Sequence, residues 1–287
     1  MGVCTGLPTN MQRAEASSSR RWRSSAADTI RQLEQIWPTL TWPAKRLPVL
    51  DVECGPGDIV AKFLAPRVPE GTKIIACDAR PEELEHAKGR NSMPDVIIHD
   101  LFDVSGKDLQ NTSVWKQGPY CKVFSLMQQL WLPENRRAIQ NIHKLLAPGG
   151  EAIFTVPPKF SLWDGFEDTI DDPEWRQHMQ DVQRSLSPYG DYEDPVSELK
   201  KLLIAEGFQI SHCAPGAMEV DLGSRKEFRE LLISLNALLN SILEDITNDT
   251  YHCTCEPNGT GEEQDGYSGE SETILPCSCM IVVGKKL

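Results

Sequence analysis

The sequence predicts an α/β fold, a mainly parallel sheet with helices on both faces. Short β-rich runs alternate with helical segments from about residue 49 onward, the pattern of successive crossover units. Several of those runs are almost unbroken in apolar character, as strands buried on both faces must be. A third observation is that acids or glycine-containing turns close the strands where helices should begin.

Ile30, Leu33, Trp37 and Leu40 recur at helical spacing, and Pro38 marks the end of that helix. Pro43 and Pro48 then break the chain before the apolar run Val49-Leu50-Asp51-Val52, the first strand. Further strands are expected over 73–77, 96–99, 121–126, 152–156 and 209–212, with helices over 58–65, 81–88, 134–146 and 196–206. Ala147-Pro148-Gly149-Gly150 ends one helix and launches the next strand. Phe228, Leu231, Leu232, Leu235, Leu238, Leu239, Ile242 and Ile246 predict an amphipathic helix, either covering the core or also serving as a lid over a substrate pocket. Residues 274–283 close the chain as a late strand.

Domain organisation follows from length and composition. At 287 residues the chain fits one large domain, assigned to 26–287, behind an arm over 1–25. The arm holds Arg13, Arg20, Arg21 and Arg23, many serines and a single acid, Glu15. That composition suits a disordered arm, with a transit peptide as the alternative. Basic residues number 29 and acidic residues 42, a net charge of −13. Seven of the acids lie in the Gly-rich stretch 247–273, which holds no Lys or Arg and is expected to be a flexible loop. Without them the acidic count falls to 35, so the remaining chain is only mildly acidic. Such a balance disfavours a nucleic-acid partner, because phosphate binding depends on clustered Lys and Arg. No run approaches the ~20 apolar residues of a membrane span. Nine cysteines, an odd number, with no apolar secretory signal, suit reduced thiols and a cytoplasmic location.

The stretch Leu50-Asp51-Val52-Glu53-Cys54-Gly55-Pro56-Gly57-Asp58 reads as strand, tight turn and helix start. That is where an α/β sheet binds a nucleotide-like cofactor, and Gly55 and Gly57 let backbone approach the ligand without a Cβ between. Val60 stands where a dinucleotide fingerprint needs its third glycine, and no Gly-Lys-Ser/Thr follows, so neither that motif nor a P-loop is present. Asp78 closes the next strand, where a carboxylate can accept from both ribose hydroxyls. Asp100 closes the one after, within reach of an adenine amino group. Asp51, Asp78 and Asp100 thus mark the carboxyl edge of three successive strands. A ribose held without a pyrophosphate cradle suggests S-adenosylmethionine over a nicotinamide dinucleotide.

With those residues the sequence resembles class I S-adenosylmethionine-dependent methyltransferases, and within them the arthropod juvenile hormone acid methyltransferases. The general likeness lies in Leu50 to Asp58, Ile74-Ile75-Ala76-Cys77-Asp78, His99-Asp100 and Leu145-Leu146-Ala147-Pro148-Gly149-Gly150. The narrower one lies in Asp172-Pro173-Glu174-Trp175, Ser187-Pro188-Tyr189, Glu193-Asp194-Pro195-Val196 and Leu202-Leu203-Ile204-Ala205-Glu206-Gly207-Phe208. The resemblance implies a Rossmann-like, seven-stranded sheet with its last strand antiparallel. It implies carboxyl O-methylation of a small apolar acid, sesquiterpenoid or fatty, with Asp51, Glu53, Gly55, Gly57, Asp78, Asp100 and Ser125 around the cofactor. Trp131 and the helix over 228–246 would form the acceptor pocket, with Trp131 equally suited to packing.

A carboxylate acceptor has a pKa of about 4–5 and is ionised at neutral pH, so no general base is required and no catalytic dyad is assigned. Three positions depart from the family. Glu53 replaces a glycine, where a side chain could crowd the methionine end of the cofactor or attract its positive charge. Leu130 replaces a histidine before Trp131, and Ser25 a glutamine near the acceptor. These departures leave open an alternative, a methyltransferase-like binding protein with weak or no turnover. The Cys253/Cys255 and Cys277/Cys279 pairs lack the usual zinc spacing, so no metal is expected.

Overall fold

The computed structural model describes residues 23–79, 81–90, 96–98, 102–126, 135–156, 192–224 and 272–287. Its strands are β1 (Val49–Val52), β2 (Ile74–Cys77), β3 (Val96–Ile98), β4 (Tyr120–Ser125), β5 (Leu146–Val156), β6 (Phe208–Ser224) and β7 (Glu272–Lys286). They form one seven-stranded sheet in the order β3-β2-β1-β4-β5-β7-β6. The pairs among β1 to β5 are parallel, whereas β7 runs antiparallel to both β5 and β6. The expected architecture is therefore present, with the last strand inserted between the fifth and sixth.

Alternation along the strands sorts the core into two layers. Leu50, Val52, Ile75, Val123, Phe154 and Val282 pack on one face against Ile139, Ile142, Leu199 and Leu203. The last four come from α4 (Asn135–Leu145) and α5 (Pro195–Ala205). Val49, Ile74, Ala76, Phe124, Ile153 and Val283 pack on the other face against Leu33, Ile36, Val60, Phe63 and Leu84. This second layer uses α1 (Arg23–Ile36), the helical turn after β1, and α2 (Pro81–Arg90). The short helix α3 (Ser113–Gln117), which lacks a clear apolar period, precedes β4 and is N-capped by Thr112.

Three boundaries differ from the sequence expectation. α1 begins at Arg23, so the last three residues assigned to the arm are helical. The helix expected over 58–65 starts at Asp58 but widens to π geometry over Val60–Leu64, where the Ala65 N–H reaches the Val60 carbonyl at 2.9 Å. β6 and β7 are much longer than expected, their pairing running on to Ser224 and Glu272. Pro215, Gly216, Gly223 and Pro276 dilute the local β signal there, while cross-strand backbone pairing carries the ladder through. Val156 of β5 pairs with Met280, so the β6–β7 ribbon continues about eight residues, or ~27 Å, past the carboxyl end of β5.

At the opposite edge, Lys122 of β4 and Glu151 of β5 stand side by side in register and form a buried ion pair at 3.0 Å. Glu151 accepts from the Thr41 backbone N–H and hydroxyl, both at 3.0 Å. Lys122 donates to the Thr41 carbonyl and sits 4.7 Å from the Trp42 ring centre. This clamp fixes the connection between α1 and β1. It seats α1 so closely that the Gln32 side chain would lie 2.8 Å from a β-carbon at Gly216 of β6.

Candidate functional site

The strand order reverses between β1 and β4, with β2 and β4 on opposite sides of β1 in the sheet. Helices on the two sides of such a switch point diverge, opening a crevice outside the carboxyl ends of the two strands. β1 ends there at Val52, level with Cys77 of β2 and Ser125 of β4.

This register corrects one detail of the sequence reading. Asp51 lies within β1, opposite Ala76 and Phe124, and does not end the strand. Glu53 is the acid one step past the Val52–Cys77 pair, where the paired register ends. Asp51, Glu53, Asp78 and Ser125 all converge on this edge and are 3%, 5%, 1% and 5% exposed. Asp100, Leu130, Trp131 and the helix over 228–246 lie outside the described residues, as does 247–271 of the acidic loop. Ser25 falls in α1, far in sequence from the rim.

Backbone hydrogen bonds stitch the loop after β1 to the end of β2. The Cys54 N–H reaches the Cys77 carbonyl at 3.0 Å, and the Gly55 N–H donates to the Asp78 carboxylate at 3.0 Å. The Gly57 N–H closes the turn on the Cys54 carbonyl at 3.1 Å. Gly55 and Gly57 both adopt positive φ, 52° and 78°, where a side chain is disfavoured. Glu53 adopts φ 60° and is the one non-glycine residue with positive φ among those described.

Gly55 is buried, yet no heavy atom beyond its chain neighbours lies within 4 Å of where a β-carbon would project. The rim is thus covered but not filled: space remains beside the glycine loop. The Asp78 carboxylate accepts from the Gly55 N–H, and a carboxylate is also the kind of group that accepts from a pair of hydroxyls. Both features fit an adenosine-type ligand.

Crowded carboxylates cannot all ionise freely. Burial, and then the charge of Asp78, push the Asp51 carboxyl from 3.8 up to about 8, so it keeps its proton at neutral pH. Cys77 was not singled out from the sequence, although it directly precedes Asp78. Its thiol lies 3.6 Å from the Asp51 carbonyl. Burial first, then Asp51, Asp78 and Glu53, hold it well above the usual thiol range, so it is a neutral wall of the site. Among the described residues no group of three or more His, Cys, Asp or Glu is arranged to hold a metal ion, and no helix is long and apolar enough to cross a membrane.

Comparison with known proteins bears on this edge directly. Residues 49–150, from the start of β1 to the turn leading into β5, match the family model described as a methyltransferase domain. The match takes in little more than a third of the chain. The domain contains the switch point, the glycine loop and every strand-end acid discussed above. Among curated proteins the chain is similar to juvenile hormone acid O-methyltransferase of Bombyx mori, 29% identical over 182 residues. It is also similar to the Drosophila melanogaster protein of the same name, 22% identical over 195 residues. These matches take in 63% and 68% of this chain, but only 63% and 58% of the relatives' own lengths. A solved structure of a candidate methyltransferase from Bacillus halodurans C-125 aligns with a TM-score of 0.57. It covers 89% of this chain and 99% of its own at 14% identity, a likeness of fold around the methyltransferase domain.

Proposed function

We propose that this protein is an S-adenosylmethionine-dependent methyltransferase acting on the carboxyl group of a small apolar acid. The observation that carries the cofactor assignment is the Gly55–Asp78 hydrogen bond beside open space at the β1/β4 switch point. It joins a side-chain-free stretch of backbone to a carboxylate suited to ribose, within residues that match the methyltransferase-domain model. When bound, S-adenosylmethionine supplies an electrophilic methyl group on a positively charged sulfur. Gly55 and Gly57 give that ligand room, Asp78 holds the ribose, and Asp51 and Glu53 face its cationic end. Asp100 is assigned to the adenine and Ser125 to the wall formed by β4.

The acceptor assignment draws on the likeness to the two juvenile hormone acid O-methyltransferases and on the chemistry of carboxylates. An acid already ionised at neutral pH attacks without a base, so the protein contributes alignment and exclusion of water. Leu130, Trp131 and the apolar helix over 228–246 are proposed to line the acceptor chamber, with Ser25 at its margin. The cytoplasm is the proposed location.

Burial of Asp51, Glu53 and Asp78 favours one second reading, a protein of this fold that binds apolar ligands without turnover. Radiolabelled methyl transfer to a panel of fatty and terpenoid acids separates the two. Label in an alkali-labile ester of an apolar acid is the expected result. Tight cofactor binding with no transfer to any acid would leave the binding-protein reading.

A further inference from the structure

Successive carbonyls of the loop after β3 are all held by one helix. Val104, Ser105 and Gly106 belong to no strand or helix, so no repeating ladder satisfies their backbone. The Asn141 side-chain amide of α4 donates to the Val104 carbonyl at 2.8 Å and to the Gly106 carbonyl at 2.9 Å. Arg137, one turn earlier on the same side of α4, donates to the Ser105 carbonyl between them at 3.2 Å. Asn141 is buried, so both of its amide hydrogens are committed to this loop inside the protein.

The start of the loop is tied to the rim. The Phe102 N–H donates to the Asp78 carbonyl at 2.9 Å, while the Asp78 carboxylate accepts from the Gly55 N–H at 3.0 Å. Asp78 is therefore held by the glycine loop through its side chain and by the loop after β3 through its peptide. One run of contacts leads from the glycine loop through Asp78 and the loop after β3 to α4. Phe102 and Val104 also pack in the same apolar layer as Ala138, Ile139 and Ile142 of α4. Apolar packing keeps the loop attached but does not fix where its peptide groups point. Hydrogen bonds are directional, and Asn141 supplies two of them.

We propose that Asn141 is a positioning residue for the adenosine half of the cofactor site, acting on Asp78 through the loop after β3. The inference rests on the methyltransferase reading above, in which Asp78 takes the ribose and the carboxyl end of β3 faces the adenine. Asn141 is separated from both by the loop itself. It fixes the loop, and the loop fixes the Asp78 peptide, as a supporting hydrogen bond holds a binding group in its productive geometry. Without the amide, the Val104 and Gly106 carbonyls either stay buried unpaired or turn toward water, and either course shifts the loop.

The test is calorimetric titration of the wild type, Asn141→Leu and Arg137→Met with S-adenosylmethionine, S-adenosylhomocysteine and S-inosylhomocysteine. Asn141→Leu keeps the size of the side chain and removes both donors. It should weaken both adenosine compounds equally, by about tenfold, since adenosine is common to the two. The preference for S-adenosylhomocysteine over S-inosylhomocysteine should narrow, and in turnover the cofactor KM should rise far more than kcat falls. A purely structural asparagine would lower the melting temperature and leave the folded protein's affinities and base preference as in the wild type. That result overturns the positioning role and leaves the methyltransferase reading standing. Failure of the folded wild type to bind any of the three compounds overturns both. Should Asn141→Leu fold poorly, Arg137→Met decides: an equal loss for both adenosine compounds supports the role, and unchanged affinity overturns it.

Discussion

Replacing Asp51 with asparagine tests whether the acid row is as crowded as the structure implies. Asp51 is 3% exposed, and its carboxyl is raised from 3.8 to about 8 by burial and by Asp78. Between those values the folded protein holds a proton that the unfolded chain releases. The stabilising contribution of this group is complete below about pH 4 and is lost as pH rises through about 8, falling by about 1.4 kcal/mol per pH unit. From pH 5 to pH 7 the loss is about 3 kcal/mol, a fall of several degrees in melting temperature for a chain of this size. Asparagine keeps the shape and removes the titration. Urea denaturation followed by circular dichroism, from pH 5 to pH 9, should show wild-type stability declining relative to Asp51→Asn. The variant should be the more stable protein by pH 8, because it has no charge to develop in the interior. Parallel stability curves over the whole range would refute the reasoning, since they would mean that Asp51 ionises normally in the folded state. Glu53, Asp78 and the neutral Cys77 thiol surround the same position, so each variant is compared with the otherwise intact row.

Two further outcomes follow from the packing. Gly55→Ala places a methyl group in the open space, so with φ at 52° it should destabilise the empty protein by about 1 kcal/mol. The same variant should weaken S-adenosylmethionine binding at least tenfold by calorimetry, and full affinity would show that the space is not the cofactor site. Lys122→Met strands the buried Glu151 carboxylate with only its Thr41 partners and should cost about 3–5 kcal/mol in chemical denaturation. Adding Glu151→Met should recover part of that loss, whereas simple additivity of the two substitutions would mean that the pair is not coupled.

Much of the fold was legible because the signals are local. Val49 to Val52 and Ile74 to Cys77 announce buried strands by composition, and Gly55 and Gly57 announce a turn that only small residues can make. Ile30, Leu33 and Trp37 show their helix by spacing alone. Other elements depend on partners distant in sequence. Pro215 argues against a strand on a local reading, yet β6 continues across it because β7 supplies the pairing. Lys122 and Glu151 look like misplaced charges within apolar runs until register sets them side by side. The short helix α3 has too few residues to show a period.

The candidate site divides along the same line. Sequence alone located the glycine turn after β1 and Asp78 after β2, since strand, turn and helix start are encoded within a dozen neighbouring residues. Tertiary structure decided how those residues meet. β1 ends at Val52, so Glu53, and not Asp51, is the acid that follows the strand, and the assembled sheet brings the carboxylates close enough for one to keep its proton. It also leaves a buried glycine facing open space. Charge repulsion, desolvation and enclosed volume depend on distances between elements, and those exist only once the sheet has assembled.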